Sequence, residues 1–166
     1  RAGCVRLFFG IESGNDAILA LMKKRATVAQ AREAVHLAKL SAIEAGAFFI
    51  IGYPGETDET ILDTVRFASS LPLDYLSFTL PYPIPGTPLY ERVKQKLISE
   101  DWEESEDRHL IKHRLLFDSP FSEFKLKFAI VKAMVEFSLR RHLKRGYGLI
   151  GTPFERLTDF MFRHIN

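Results

Sequence analysis

The sequence predicts an α/β chain: a partial (β/α) barrel with three parallel strands, followed by a mostly helical C-terminal region. Three observations carry that expectation. Short apolar runs rich in β-branched and aromatic residues stand at 7–11, 48–51 and 75–80, as in strands covered on both faces. Each run passes into a glycine- or proline-rich polar loop and then into a helical pattern. The repeated order strand, loop, helix is that of parallel sheets and barrels, and three strands are half or less of an eight-stranded barrel.

The first strand leads into Glu12, Ser13, Gly14 and Asn15, and then into a short helix over 16–24 with Ile18, Leu19 and Met22 on one side. Thr27 with Gln30 forms a capping-box pattern for a helix over 28–45, whose apolar positions include Ala31, Ala34, Val35, Ala38 and Ala42. Gly46 is read as its stop. The second strand ends in Gly52-Tyr53-Pro54-Gly55-Glu56-Thr57. A helix over 58–70 follows, with Ile61, Leu62, Val65 and Ala68 apolar, and Pro72 closes it. The third strand enters a loop holding Pro81, Pro83, Pro85, Gly86 and Pro88. Thr87 caps a helix whose first position is Pro88 and which extends to about 97.

Residues 101–108 are polar and acidic and read as a connection. An amphipathic helix is predicted over 121–144. Phe124, Phe128, Val131 and Val135 form its apolar stripe, widened by Ile130, Met134 and Phe137; Lys125, Lys132, Glu136, Arg140 and Lys144 form the opposite face. Gly146 and Gly148 break it. Thr152, Pro153 and Glu155 open a last helix to about 164.

Composition limits the function classes. A net charge of +2 gives no nucleic-acid footprint, and 46% hydrophobic residues suffice for a core, so a disordered chain is not expected. No apolar run approaches about 18 residues, so no membrane-spanning helix is expected. The lone Cys4 excludes an internal disulfide and any multi-cysteine metal site within this chain. It is read as a small buried residue entering the first strand, and a reducing, cytoplasmic setting is expected. The abrupt start in strand sequence reads as a boundary inside a longer protein.

In parallel α/β proteins ligands bind at the C-terminal ends of strands, so the three loops there are the candidate sites. If Ile11 packs against helices, alternation turns Gly10 and Glu12 the other way. Gly10 then leaves room for a ligand and Glu12 offers a carboxylate to a ribose diol or an amine; the plainer reading is a solvated loop that caps the next helix. The glycines of 52–57 permit close backbone approach, and amides before a helix can hold an anion; an ordinary tight turn is the alternative. The alternating prolines of 81–88 hold an extended chain that can frame a flat ring, or merely redirect the backbone. His109 and His113 lack a third partner, so no metal site is expected. The basic runs at 23–25 and 140–145 are read as helix-end cations, with phosphate or nucleic-acid contact as the alternative.

The order of these motifs is more specific than any one of them. Phe8-Phe9-Gly10-Ile11-Glu12-Ser13-Gly14-Asn15, Ile50-Ile51-Gly52-Tyr53-Pro54-Gly55-Glu56-Thr57 and Pro83-Ile84-Pro85-Gly86-Thr87-Pro88-Leu89-Tyr90 resemble the fourth, fifth and sixth strand regions of the radical S-adenosylmethionine (SAM) superfamily. The likeness covers about residues 5–97 and is strongest to the branch that often carries a cobalamin domain, which includes magnesium-protoporphyrin monomethyl ester oxidative cyclases. It implies that 1–100 is the second half of a TIM-like barrel and 101–166 a helical extension. It also implies that Glu12 and Ser13 lie near the ribose and methionine parts of SAM, that Ile50 or Ile51 and Gly52 touch adenine, and that Tyr82, Pro83 and Ile84 frame it. In the family a [4Fe-4S] cluster reduces SAM to a 5′-deoxyadenosyl radical. That cluster is held by three cysteines in a C-x-x-x-C-x-x-C loop, and this chain has only Cys4, in another element.

The expectation is therefore a fragment that by itself binds no cluster, holds SAM very weakly and turns nothing over. No catalytic residue is assigned. Its partner is the missing N-terminal half of the barrel, and cobalamin belongs at most to the whole protein. An open sheet invites cover, so the tail is expected to lie on the opened face, or two copies to associate there. Two other functions stay open. One is a barrel enzyme on a phosphorylated metabolite, with its anion site at 52–57. The other is a non-enzymatic interaction module using the 121–144 helix.

Overall fold

The computed structural model describes residues 3–98, 114–143 and 146–166. The expected acidic connection, His109, His113 and Lys144 lie outside the described residues. The elements are β1 (Arg6–Glu12), α1 (Asp16–Leu21), α2 (Val28–Leu40), β2 (Glu44–Ile50), α3 (Asp58–Ser70), β3 (Tyr75–Thr79), α4 (Pro88–Val93) with a 3-10 turn at Lys94–Lys96, α5 (Glu123–Leu143) and α6 (Tyr147–His164). The chain is mixed α/β, with three parallel strands in the order β1-β2-β3.

Helix starts follow their caps. Asn15 accepts from Ala17 and Ile18, while Thr27 and Thr57 each form a capping box with the residue three further on. Strand alternation gives the sheet one covered and one bare face. Ile11, Ala45, Ala47, Phe49, Ile51, Phe78 and Leu80 form one core with Val35 and Ala38 of α2 and with Ile61, Leu62, Val65 and Ala68 of α3. The other face presents Phe8, Phe48 and Tyr75 at 53%, 45% and 41% exposure. Phe8 stacks on Phe48 at 5.5 Å between ring centroids and lies 5.9 Å from Tyr75, beneath Arg6.

Several expectations are corrected. Helix α2 ends at Leu40, not 45, because Ala42 turns the chain at φ 56°. Gly46 is no helix stop. It lies inside β2 opposite Phe8 and Tyr75, where any Cβ would collide with the Phe8 ring. Cys4 is exposed, since it precedes β1 and nothing described packs over it. Helix α6 starts at Tyr147 with Pro153 inside it, not at a Thr152 cap. Tyr147 secures that extra turn by packing on Gly151 and donating to Glu155 at 2.5 Å.

The largest correction concerns α5. Much of its expected outer face is buried, and of its expected apolar face only Phe128, Ile130 and Phe137 pack, half-buried, against the core. Lys125, Lys132 and Glu136 lie inside with Leu126, Ala129 and Ala133, whereas Phe124 and Val131 are 69% and 60% exposed. The buried charges are matched by other elements: Lys125 with Asp58 of α3 at 2.9 Å, and Lys132 with Glu136 and, at 2.8 Å, with Asp159 of α6, which also holds Arg66 of α3. The tail does not cover the opened face either. It packs on α3, away from Phe8, Phe48 and Tyr75, because α3 offers the complementary charges and Gly52 leaves a notch that Leu126 fills.

Candidate rim at the strand ends

The ends of β1, β2 and β3 lie side by side. Glu12 pairs with Phe49, Ile50 with Thr79, and the Ile51 amide donates to the Thr79 carbonyl at 3.0 Å. The three loops predicted from sequence therefore share one rim.

At β1 the register slips between Gly10 and Glu12, and Glu12 adopts φ 74°, a left-handed conformation costly for a side chain with a Cβ. The bulge folds the carboxylate back over Gly10: a Cβ there would stand 2.9 Å from Glu12 Oε1. Lys24 reaches across from beyond α1, bonding Glu12 Oε1 at 2.9 Å and the Gly10 carbonyl at 3.3 Å. Gly10 and Glu12 are thus on the bare side, as alternation predicts. Ser13 is not beside them. It is fully buried, and its hydroxyl shares a 3.1 Å bond with Thr64 of α3 while accepting from the Asn15 amide. Thr64 also accepts from the Gly14 amide, which locks this loop onto α3.

At β2, alternation separates the two isoleucines. Ile50 is half-buried on the bare side, and Ile51 is in the helix-side core. Gly52 sits at φ 91°, and a Cβ there would approach Leu126 to 2.6 Å. Glu56 closes the loop internally: one carboxylate oxygen accepts from the amides of Gly52 at 2.6 Å and Tyr53 at 2.9 Å. Its other oxygen is buried without a partner. Burial pushes the Glu56 carboxyl up to about 7 against the opposing pull of those amides. The amides that could have held an external anion are taken by the chain's own carboxylate.

After β3, Pro83 is buried whereas Tyr82 and Ile84 are exposed. The Ile84 carbonyl accepts from the amide and hydroxyl of Thr87, a turn that starts α4 with Gly86 at φ 82°. Beside the rim, a groove of about 740 Å³ runs along the unpaired edge of β1, with Gly10, Lys24, Thr27 and Ala31 in its wall. Sequence reasoning missed Lys24 as the partner of Glu12. It also missed Glu56 as the clasp of its loop, a role that a carboxylate just after two glycines could have signalled. Thr64 gave no local signal, since its role depends on a loop some fifty residues earlier.

Among the described residues no three His, Cys, Asp or Glu side chains are grouped to hold a metal. With one cysteine, exposed before β1, the residues present do not fit an iron–sulfur cluster.

Residues 1–68 match the model of the radical SAM superfamily. An uncharacterised methyltransferase of Pyrococcus horikoshii is 44% identical over 89 residues, covering 54% of this chain and 19% of that protein. The anaerobic magnesium-protoporphyrin IX monomethyl ester cyclase of Cereibacter sphaeroides is 32% identical, covering 58% and 16%. The bacteriochlorophyllide d C-12(1)-methyltransferase of Chlorobaculum tepidum is 32% identical, covering 66% and 24%. Among solved structures, an N-terminally deleted Elp3 from Methanocaldococcus infernus superposes with a TM-score of 0.51 at 26% identity, covering 56% of this chain and 22% of that one. The chain spans no more than 24% of the length of these proteins.

Proposed function

We propose, for a chain that belongs to the radical SAM superfamily, that it is the second half of that enzyme's catalytic barrel and supplies one wall of the SAM site. Residues 1–100 form the barrel half and 101–166 the helical extension. The bare face is then the barrel interior. The unpaired edges of β1 and β3 receive the strands of the missing N-terminal half, for which a second copy of this chain is the competing occupant. The observation that carries the reading is the shared rim: Gly10, Glu12, Ile50 and Gly52 at adjacent strand ends, with the 81–88 loop beside them.

Within this wall each residue has a task set by its chemistry. Glu12, held by Lys24, accepts hydrogen bonds from the ribose hydroxyls, and the absence of a side chain at Gly10 makes the room that the Glu12 carboxylate and Lys24 fill. Ile50 and the Gly52 backbone give adenine an apolar and close-fitting side, and Tyr82, Pro83 and Ile84 border it. Ser13 and Ile51 support this wall from behind, given where they are buried. The cluster's ligands must come from outside this chain, so the fragment alone is inactive and binds SAM very weakly. Cobalamin dependence and oxidative-cyclase-like chemistry rest on the motif likeness and on the cyclase among the similar proteins. The anion-site alternative loses ground because Glu56 occupies the amides of Gly52 and Tyr53.

Glu12→Ala in the full-length protein tests the reading. SAM affinity falls by about ten-fold, the loss of one or two charge-assisted hydrogen bonds, while the iron–sulfur absorbance is unchanged. Unaltered SAM affinity with an intact cluster overturns it.

A further inference from the structure

Two adjacent residues in the first turn of α5, Lys125 and Leu126, touch the two ends of the loop that follows β2. Leu126 is fully buried against Gly52, where the strand gives way to the loop. Lys125, 8% exposed, pairs at 2.9 Å with Asp58, the first residue of α3, where the loop ends. The C-terminal helices thus grip the same loop that carries the proposed adenine contact.

Neither contact follows from helix packing alone. Gly52 has φ 91° and no side chain, and a Cβ there would stand 2.6 Å from Leu126 Cδ1. The methyl groups of Leu126 therefore take the place of the missing side chain and press on the backbone itself. The N-terminal end of a helix favours anions, yet Lys125 is buried beside that end of α3, its ammonium 5.0 Å from the Phe162 ring centroid and 5.8 Å from that of Phe121. Asp58 offsets the charge. Between these two points the loop is tied within itself: Glu56 accepts from the Gly52 amide at 2.6 Å, and Thr57 forms a capping box with Thr60. A glycine has no side chain to fix its own peptide planes. What fixes Gly52 is Glu56 on its amide and Leu126 at its α-carbon.

We propose that Leu126 is a positioning residue for the SAM site, through which the helical extension braces the Gly52 backbone while Lys125 ties down the far end of the same loop. The inference rests on the reading of Gly52 as part of the adenine wall. A backbone that lies against a flat ring has to hold its place to about 0.5 Å, and a glycine at positive φ needs that support from outside. Leu126 belongs to the core on the covered side of the sheet, with Phe49 and Ile51, so it acts through Gly52 and does not touch the cofactor.

The test is made on the full-length protein with its iron–sulfur cluster, by equilibrium dialysis against SAM and by amide hydrogen exchange without it. Leu126→Val and Leu126→Ala should weaken SAM binding about three-fold and about ten-fold, with the iron–sulfur absorbance unchanged, and Leu126→Met should keep it within about two-fold of the parent. The Gly52 and Tyr53 amides should exchange about five-fold faster or more in Leu126→Ala. Ala133→Gly, at a buried position about two turns along α5, loses a similar amount of stability to Leu126→Val and should move neither measurement. Parental SAM affinity in both Leu126→Val and Leu126→Ala overturns the proposal. So does an Ala133→Gly protein that loses as much affinity as Leu126→Val, for that is general loosening of the tail. Glu12→Ala separates the two levels: if it weakens SAM binding while the Leu126 variants do not, the brace fails and the wall stands; if none of them changes the affinity, both fail.

Discussion

Glu56 holds two amides with one oxygen and leaves the other buried and unpartnered. Its folded carboxyl titrates at about 7, raised from 4.5, so the folded state keeps this proton after the unfolded chain has lost it. The proton-linked stabilisation is full below about pH 4.5 and is lost as pH rises through about 7. Urea titrations should show stability falling over that window by roughly 1–3 kcal/mol. Glu56→Gln should flatten the slope, since its amide oxygen still accepts from Gly52 and Tyr53 without a titrating proton. Glu56→Ala leaves two buried donors unmet and should cost about 2–4 kcal/mol at any pH. The candidate site was partly readable at this scale. Strand alternation alone placed Gly10 and Glu12 on the open side and separates Ile50 from Ile51. It could not place Ser13, whose hydroxyl is claimed by Thr64 of a helix that sequence analysis treated as unrelated.

Helices α2, α3 and α4 start where their caps say, because a cap is a contact within four residues. The orientation of α5 was not readable in the same way. An apolar stripe normally turns inward, yet here Lys132, 3% exposed, and Glu136, fully buried, take that place and meet Asp159 and Arg66. Burial raises the Glu136 carboxyl above its ordinary range while the Lys132 ammonium opposes the shift. Lys132→Met should therefore destabilise the protein by about 3–5 kcal/mol, as an ion is left buried without its partner. Phe124→Ser, on the solvent side, should change stability by under about 0.5 kcal/mol. Chemical denaturation of the two variants separates the arrangements, for a helix docked by its apolar stripe gives the opposite ranking.

The whole molecule is a sheet with helices on one face and none of the described residues packed over the aromatic cluster of Phe8, Phe48 and Tyr75 on the other. Among the described residues no strand pairs with the outer edges of β1 and β3, and amides on such edges lack partners. Hydrogen exchange should find the outward amides of β1 fast in this chain alone and slowed in the full-length protein; equal rates would mean that no strand pairs there. The sequence by itself determined that there are three parallel strands, where the capped helices α2, α3 and α4 start, and the three-loop rim, because alternation, capping and βαβ handedness act over short stretches of chain. Only the tertiary structure decided which face of α5 is buried, where the tail lies and what holds Ser13 and Glu56. Those outcomes depend on charges and notches brought together from distant segments, whose mutual attraction has no signature in any local pattern.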